Sequence, residues 1–307
     1  MSHEDRRDDA AADASQEPDL YRFGVKAMAT EFEILFPAGF GHDVAYLSRA
    51  ASECFSLLSR LEEELSRFRM NSDISRINRL LPGGSTRVGL ATVDCLSLAV
   101  AVGAETGGAF DVTVGPLMEV YQNRDRDGSP GKPKKKERAA AMARTGSGLF
   151  EVDRDQLSVT LRGEGISLDL GGLGKGYALD QMGLALEAWG ITAALLNAGD
   201  STVLGLGSPS SEEGERGWPV RADGAGDGEL YLCDQALSGS GFLQKGAHIM
   251  DPRKGKPVKP KRIRTWALAP TAAMSDALST AFSVMKKTEV TALCERHEGV
   301  RALFWNP

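Results

Sequence analysis

Apolar and polar positions alternate in the segment TEFEILF, where Phe32, Ile34 and Phe36 face one way and Glu31, Glu33 and Leu35 the other. That period of two predicts a half-buried strand. From Asp43 the period changes. Leu47, Ala51, Cys54, Leu58, Leu61 and Leu65 recur at steps of four and three, predicting a long amphipathic helix with Asp43 as its N-cap. A second helix is predicted over about 91–104, running into the glycine-rich stretch GAETGGAFDVTVGP. Leu157, Val159 and Leu161 alternate again, and ISLDL at 166–170 reads as a short strand. A helix follows GGLGKG as far as Trp189, with Gly190 as the residue that closes it. AALLN at 193–197 reads as a buried strand, SDALSTAFSVMKK at 275–287 as one helix, and RALFW at 301–305 as a last strand.

Between these elements lie polar stretches. Residues 1–20 are charged and predict a disordered tail ahead of a domain spanning 21–307. Residues 122–137, with the run KPKKK, read as a solvated surface loop rather than a binding patch. Residues 207–229 form a long Gly-, Ser- and acid-rich excursion around Trp218. Strands and helices in mixed order, without a repeat or clean linker, predict an α+β fold.

Composition narrows the chemistry. The 307 residues carry a net charge of −6, which argues against a general nucleic-acid binder. No apolar run reaches the roughly 20 residues of a membrane helix. Arg6 and Arg7 are not followed by an apolar stretch, so no leader is read and the expectation is a cytoplasmic protein, or an exported one if a leader has been removed. The four cysteines lie far apart with no CxxC pair, and there are only four histidines. Any metal is therefore expected to be a hard cation held by oxygen.

Four segments could carry that chemistry. In TGGAFDVTVGP, glycines permit close backbone approach while Phe110 and Asp111 could stack a flat ring and anchor its edge; the plainer reading is a helix-to-strand turn. DLGGLGKGYALD at 169–180 offers helix N-terminal amides and Lys175 to negative charge, without the order of a Walker loop or a dinucleotide fingerprint; it could equally be a glycine-eased turn. His248 sits in GAHIMDPRKGKPV, as a proton acceptor or as a satisfied, partly buried side chain. In SDALST, Asp276 and Thr280 fall four apart on one face of a helix, opposite Leu278, Ala281, Phe282 and Met285. The pair could share a hard cation, or belong to a solvated face with Ser283 and Lys287.

The order of the segments carries more than any one of them. MAT at 28–30, LSRFRMNSDISRIN, TGGAFDVTVGPL, DLGGLGKGYALD, LLNAGD, SGSG, HIMDPRKGKPV and SDALSTA follow one another from about Met28 to the end. This series resembles the ApbE family of FAD:protein FMN transferases. The resemblance implies a single ApbE-like, T-fold-related domain of mixed sheets flanked by helices. It also implies FAD as substrate, Mg²⁺ as cofactor, and a target flavoprotein whose Thr or Ser hydroxyl accepts FMN while AMP leaves. By motif, it places Met28, Phe68, Ala109, Phe110, Asp111, Asp169, Lys175 and Met250 against the flavin nucleotide. It assigns the metal to the Gly172 carbonyl with Asp276 and Thr280, and makes His248 and Asp276 the catalytic pair. Three positions depart from the family pattern: Ala29 replaces a glycine, Asn197-Ala198-Gly199-Asp200 is one glycine short, and Leu243-Gln244-Lys245 follow SGSG. Two other activities fit the same motifs. Water as acceptor would make the protein an FAD diphosphatase, and loss of turnover would leave an FAD-binding protein.

Overall fold

The computed structural model describes residues 19–122, 133–210, 217–222, 229–241, 249–258 and 264–305. The predicted tail up to residue 18 and His248 lie outside these. In chain order come β1 (Leu20–Ala27), β2 (Thr30–Pro37), α1 (Val44–Leu65), α2 (Asp73–Ile77), β3 (Ser85–Arg87), α3 (Leu90–Glu105), α4 (Gly115–Gln122) and α5 (Lys135–Met142). Then follow β4 (Phe150–Asp153), β5 (Ser158–Leu161), α6 (Gly174–Ala188), β6 (Ala194–Ala198), β7 (Thr202–Leu206), β8 (Trp218–Val220) and β9 (Leu230–Leu232). The chain closes with β10 (Gln235–Gly241), β11 (Met250–Asp251), β12 (Lys256–Pro257), β13 (Arg264–Ala269), α7 (Ala272–Val284), α8 (Lys287–Arg296) and β14 (Arg301–Trp305).

Seven strands form one antiparallel sheet in the order β1-β2-β6-β7-β10-β13-β14. The α+β expectation holds. Strand alternation buries Phe32, Ile34 and Phe36 of β2 with Leu47, Leu58 and Leu61 of α1, Leu179 and Met182 of α6, and Phe282 of α7. Helices α1, α6 and α7 therefore cover one face of the sheet, driven by burial of their apolar stripes. The other face is partly covered too. Leu237, Trp266 and Leu268 point away from the helices into a second cluster with Leu232 of the β8–β9 hairpin. Trp218, at the centre of the long excursion, is buried there and donates its indole N–H to Leu206 O at 2.9 Å.

Three local expectations are corrected. ISLDL joins no sheet. Its hydrogen bonds run to an asparagine side chain (Leu168 N to Asn78 Oδ1, 2.7 Å) and to loop backbone (Asp169 N to Val112 O, 2.7 Å), so no ladder forms. The segment 275–287 is not one helix. Met285 is extended, and α8 starts afresh with Lys286 N donating to Glu289 Oε2 at 2.6 Å. Within 122–137, residues 123–132 lie outside the description, and Lys135 and Lys136 open α5. Their run is the first turn of a helix, closed by Lys134 N donating to Glu137 Oε2.

The β1–β2 connection is a two-residue hairpin whose partners are Ala27 and Thr30. Both loop residues are left-handed, Met28 at φ 47° and Ala29 at φ 60°. Such turns favour glycine because a Cβ is strained there. Replacing Ala29 with glycine is therefore expected to stabilise the fold by about 0.5–1 kcal/mol, glycine's extra chain entropy offsetting part of the relief. A urea titration would read this as a higher midpoint at unchanged slope.

Candidate functional site

The turn at Gly171–Leu173, ahead of α6, brings the predicted motifs together. A Cβ built on Gly172 would stand 3.2 Å from Thr280 Oγ1 and 3.4 Å from Phe110 Cε2. Gly172 thus lies between the TGGAFD loop and α7, and its lack of a side chain permits that approach. Phe110 is buried at 5% exposure, and its neighbour Ala109 is buried as well. One turn N-terminal to Thr280, Asp276 is only 4% exposed, so the solvated-face reading of this pair does not apply. Asp276 Oδ2 accepts from Gly176 N at 3.3 Å and faces Lys175 Nζ at 3.7 Å. Lys175 also donates to Gly171 O at 3.3 Å. Among the described residues nothing donates to Asp276 Oδ1.

Around this centre the remaining candidates divide. Asp169 accepts from Gly171 N at 2.8 Å and lies 3.1 Å from Arg67 Nε. The Arg67 guanidinium in turn sits 4.4 Å from the centroid of Phe68, which projects into solvent at 82% exposure. Met28 donates its backbone N–H to Glu62 Oε1 at 3.0 Å, and the other oxygen of Glu62 meets Arg69 at 2.8 Å. Glu62 therefore ties the Met28 turn to the loop bearing Phe68. Asp111 turns back on its own loop: Oδ1 accepts from Thr113 N at 2.8 Å and Thr113 Oγ1 at 2.6 Å. Burial raises its pKa, against those hydrogen bonds and one from the Ser147 backbone. Met250 is buried in a separate small cluster with Leu117 and Ala141. The hairpin that carries it is anchored by Arg253, which meets Asp251 Oδ1 at 3.3 Å and donates to Val284 O at the end of α7.

Several groups at this centre were not assigned from the sequence. Ser240, inside the SGSG segment, lies 2.8 Å from Ser279 Oγ and 3.3 Å from Thr280 Oγ1. Asp180, the last residue of DLGGLGKGYALD, accepts from Ala272 N at 2.7 Å and Ala273 N at 2.9 Å. Arg67 stands inside the motif LSRFRMNSDISRIN without a role assigned from the sequence, and no signal existed for Glu62.

Burial and the nearby Asp276 carboxylate push the Asp180 pKa up to about 6, outweighing the two backbone donors. Because the folded value exceeds the unfolded one of about 3.9, this group favours folding more as pH falls. That contribution is lost as pH rises through 6. The stability gap between wild type and Asp180→Asn in metal-free buffer is expected to widen by about 1 kcal/mol from pH 7 to pH 5. Urea unfolding of both proteins at the two pH values would measure it.

The donors are chemically suited to a hard cation: a buried carboxylate, a hydroxyl one helical turn away, and backbone oxygen at a glycine turn. They do not form a cluster of imidazoles or thiolates. No group of three His, Cys, Asp or Glu side chains able to hold a metal exists among the described residues. No helix among them is long and apolar enough to cross a membrane.

The chain is similar to known proteins over most of its length. A Klebsiella pneumoniae protein named FAD:protein FMN transferase is 28% identical over 235 residues, covering 72% of this chain and 67% of its own. An Escherichia coli protein of the same name is 24% identical over 274 residues, covering 85% and 77%. The apo crystal structure of the Pseudomonas stutzeri flavinyl transferase ApbE superposes with a TM-score of 0.80 at 23% identity, covering 94% of this chain and 92% of that one. The model of the ApbE family matches residues 28–304, and the chain belongs to that family.

Proposed function

We propose that this protein is a Mg²⁺-dependent FAD:protein FMN transferase. It joins the FMN phosphate of FAD to a Thr or Ser hydroxyl of a target flavoprotein and releases AMP. The observation that carries the proposal is the burial of Asp276 one helical turn before Thr280, which itself faces Gly172 with Phe110 against the same glycine. A carboxylate is rarely kept out of water without a partner, and the partners here are one long amide contact and one lysine at 3.7 Å. The curated relatives named above carry the same activity in their names.

Asp276, Thr280 and the Gly172 carbonyl would hold the cation, which when bound supplies charge neutralisation to the diphosphate. Lys175 would leave its loose contact with Asp276 to meet a phosphate oxygen as a mobile point charge. Phe110, at the wall of the glycine turn, keeps that side of the site dry, which strengthens every electrostatic contact within it. Asp169, held by Arg67, fixes the Gly171–Gly172 backbone through its hydrogen bond to Gly171 N. In the transfer the acceptor O–H is lost and a phosphoester P–O bond forms as the P–O bond to AMP breaks. The hydroxyl proton passes to His248, in the role that the family resemblance gives it.

Incubation with FAD, Mg²⁺ and flavoprotein subunits encoded in the same genome should add the mass of FMN less one water to one of them and release AMP. AMP without a modified protein would instead establish a diphosphatase. Bound FAD without AMP would establish a binding protein, and the transferase reading would then be withdrawn.

A further inference from the structure

Helices α6 and α7 exchange carboxylates. Asp276 of α7 reaches the N-terminal turn of α6, where Gly176 N donates to it. Asp180 of α6 reaches the N-terminus of α7, accepting Ala272 N on one oxygen and Ala273 N on the other. At the crossing the two backbones touch. A Cβ on Gly176 would lie 2.1 Å from Ala272 O and 2.7 Å from Ala273 N.

We infer that Asp180 is a positioning residue that sets the register of α7 on α6, and so places Thr280 opposite Gly172 and Asp276 at the Gly176 amide. The inference rests on the proposed role of Asp276 and Thr280 as cation ligands. Its physical basis is the two-point contact. One hydrogen bond fixes a distance, whereas two from adjacent amides to both oxygens of one carboxylate also fix the roll of the helix about its axis. Roll decides where the side chains one and two turns further along point, because each residue advances about 100° around the axis. Thr271 caps the same helix end from within, accepting from Met274 N at 3.3 Å, but does not bind it to α6. Local capping and attachment between helices are thus divided between two residues, and can be separated by mutation.

The test compares Mn²⁺ binding, read by electron paramagnetic resonance on the full chain without nucleotide, in wild type and four variants. Asp180→Ala should weaken Mn²⁺ at least about tenfold, the usual cost of removing a group that orients a ligand. Asp180→Asn, which keeps one acceptor oxygen, should fall between. Thr271→Ala loses a cap on the same helix and should leave Mn²⁺ affinity within about twofold. Asp276→Ala should abolish binding. In AMP release, Asp180→Asn should raise the Mg²⁺ concentration for half-maximal rate while keeping the rate at saturating Mg²⁺, a split that mere loss of stability would not give. If Asp276→Ala weakens Mn²⁺ but neither Asp180 variant does, the positioning role is wrong and the cation site stands. If Asp276→Ala leaves Mn²⁺ binding intact, the cation site fails and the inference falls with it.

Discussion

Replacing Asp276 with alanine is expected to lower Mg²⁺-dependent release of AMP from FAD by about a thousandfold, with the fold retained. The magnitude follows from losing the only charged group of the proposed oxygen set, since metal stabilisation of a phosphoryl oxygen is worth several kcal/mol and each 1.36 kcal/mol is tenfold in rate. The structural cost is small by comparison. Asp276 accepts one long hydrogen bond from Gly176 N, at 3.3 Å, and its ion pair with Lys175 spans 3.7 Å. Removing a buried carboxylate so loosely held is expected to change unfolding free energy by about 1 kcal/mol, because relief of desolvation offsets the lost contacts. Asp276→Asn sharpens the comparison. It keeps an acceptor for Gly176 N–H and nearly the same volume, yet lacks the charge, so its rate should fall almost as far. Steady-state AMP release with varied Mg²⁺, together with far-ultraviolet circular dichroism of each variant, checks both halves. Wild-type rates in either variant would remove Asp276 from the chemistry.

Gly176→Ala should destabilise the protein by about 3 kcal/mol, as inserted atoms do in a packed interior. In an isolated helix the same change would stabilise, since alanine is the better helix former by about 1 kcal/mol. Packing reverses the sign. The added Cβ would meet the Ala272 carbonyl oxygen at 2.1 Å and its carbon at 2.5 Å, and neither is the end of a flexible side chain. Relief requires α7 to move off α6, which carries Thr280 away from Gly172 and Asp276 away from Gly176 N, so transfer should fall with stability. Gly148 provides the control. A Cβ there meets nothing within 4 Å, and Gly148→Ala should be nearly neutral in a urea titration. A stable, active Gly176→Ala protein would show that the two helices can separate at no cost to the site.

Much of the architecture was legible along the chain. The steps of three and four from Leu47 to Leu65 describe α1, and Asp43 does cap it, accepting from Tyr46 N at 2.7 Å. Gly190 closes α6 at φ 72°. These features depend on neighbours within a few residues, so local sequence contains their cause. ISLDL had the right composition for a strand, but a ladder needs a partner edge. Among the described residues, the backbone groups at 167–169 bond to Asn78, Val112 and Gly115 rather than to a strand edge. The break at Met285 was hidden because apolar spacing continues through it, and only the new cap at Lys286 shows that one helix has become two.

The candidate site divides in the same way. Motif order supplied the family, and helical spacing placed Asp276 and Thr280 on one face. Spacing alone could not say whether that face meets water or a buried turn, because periodicity records which residues share a side and not what lies opposite. Tertiary packing decided it: Gly172 approaches Thr280 from more than a hundred positions away, and Asp180 clasps amides 92 and 93 residues distant. Such contacts arise from the paths of separate elements across a shared sheet, and no local pattern encodes them.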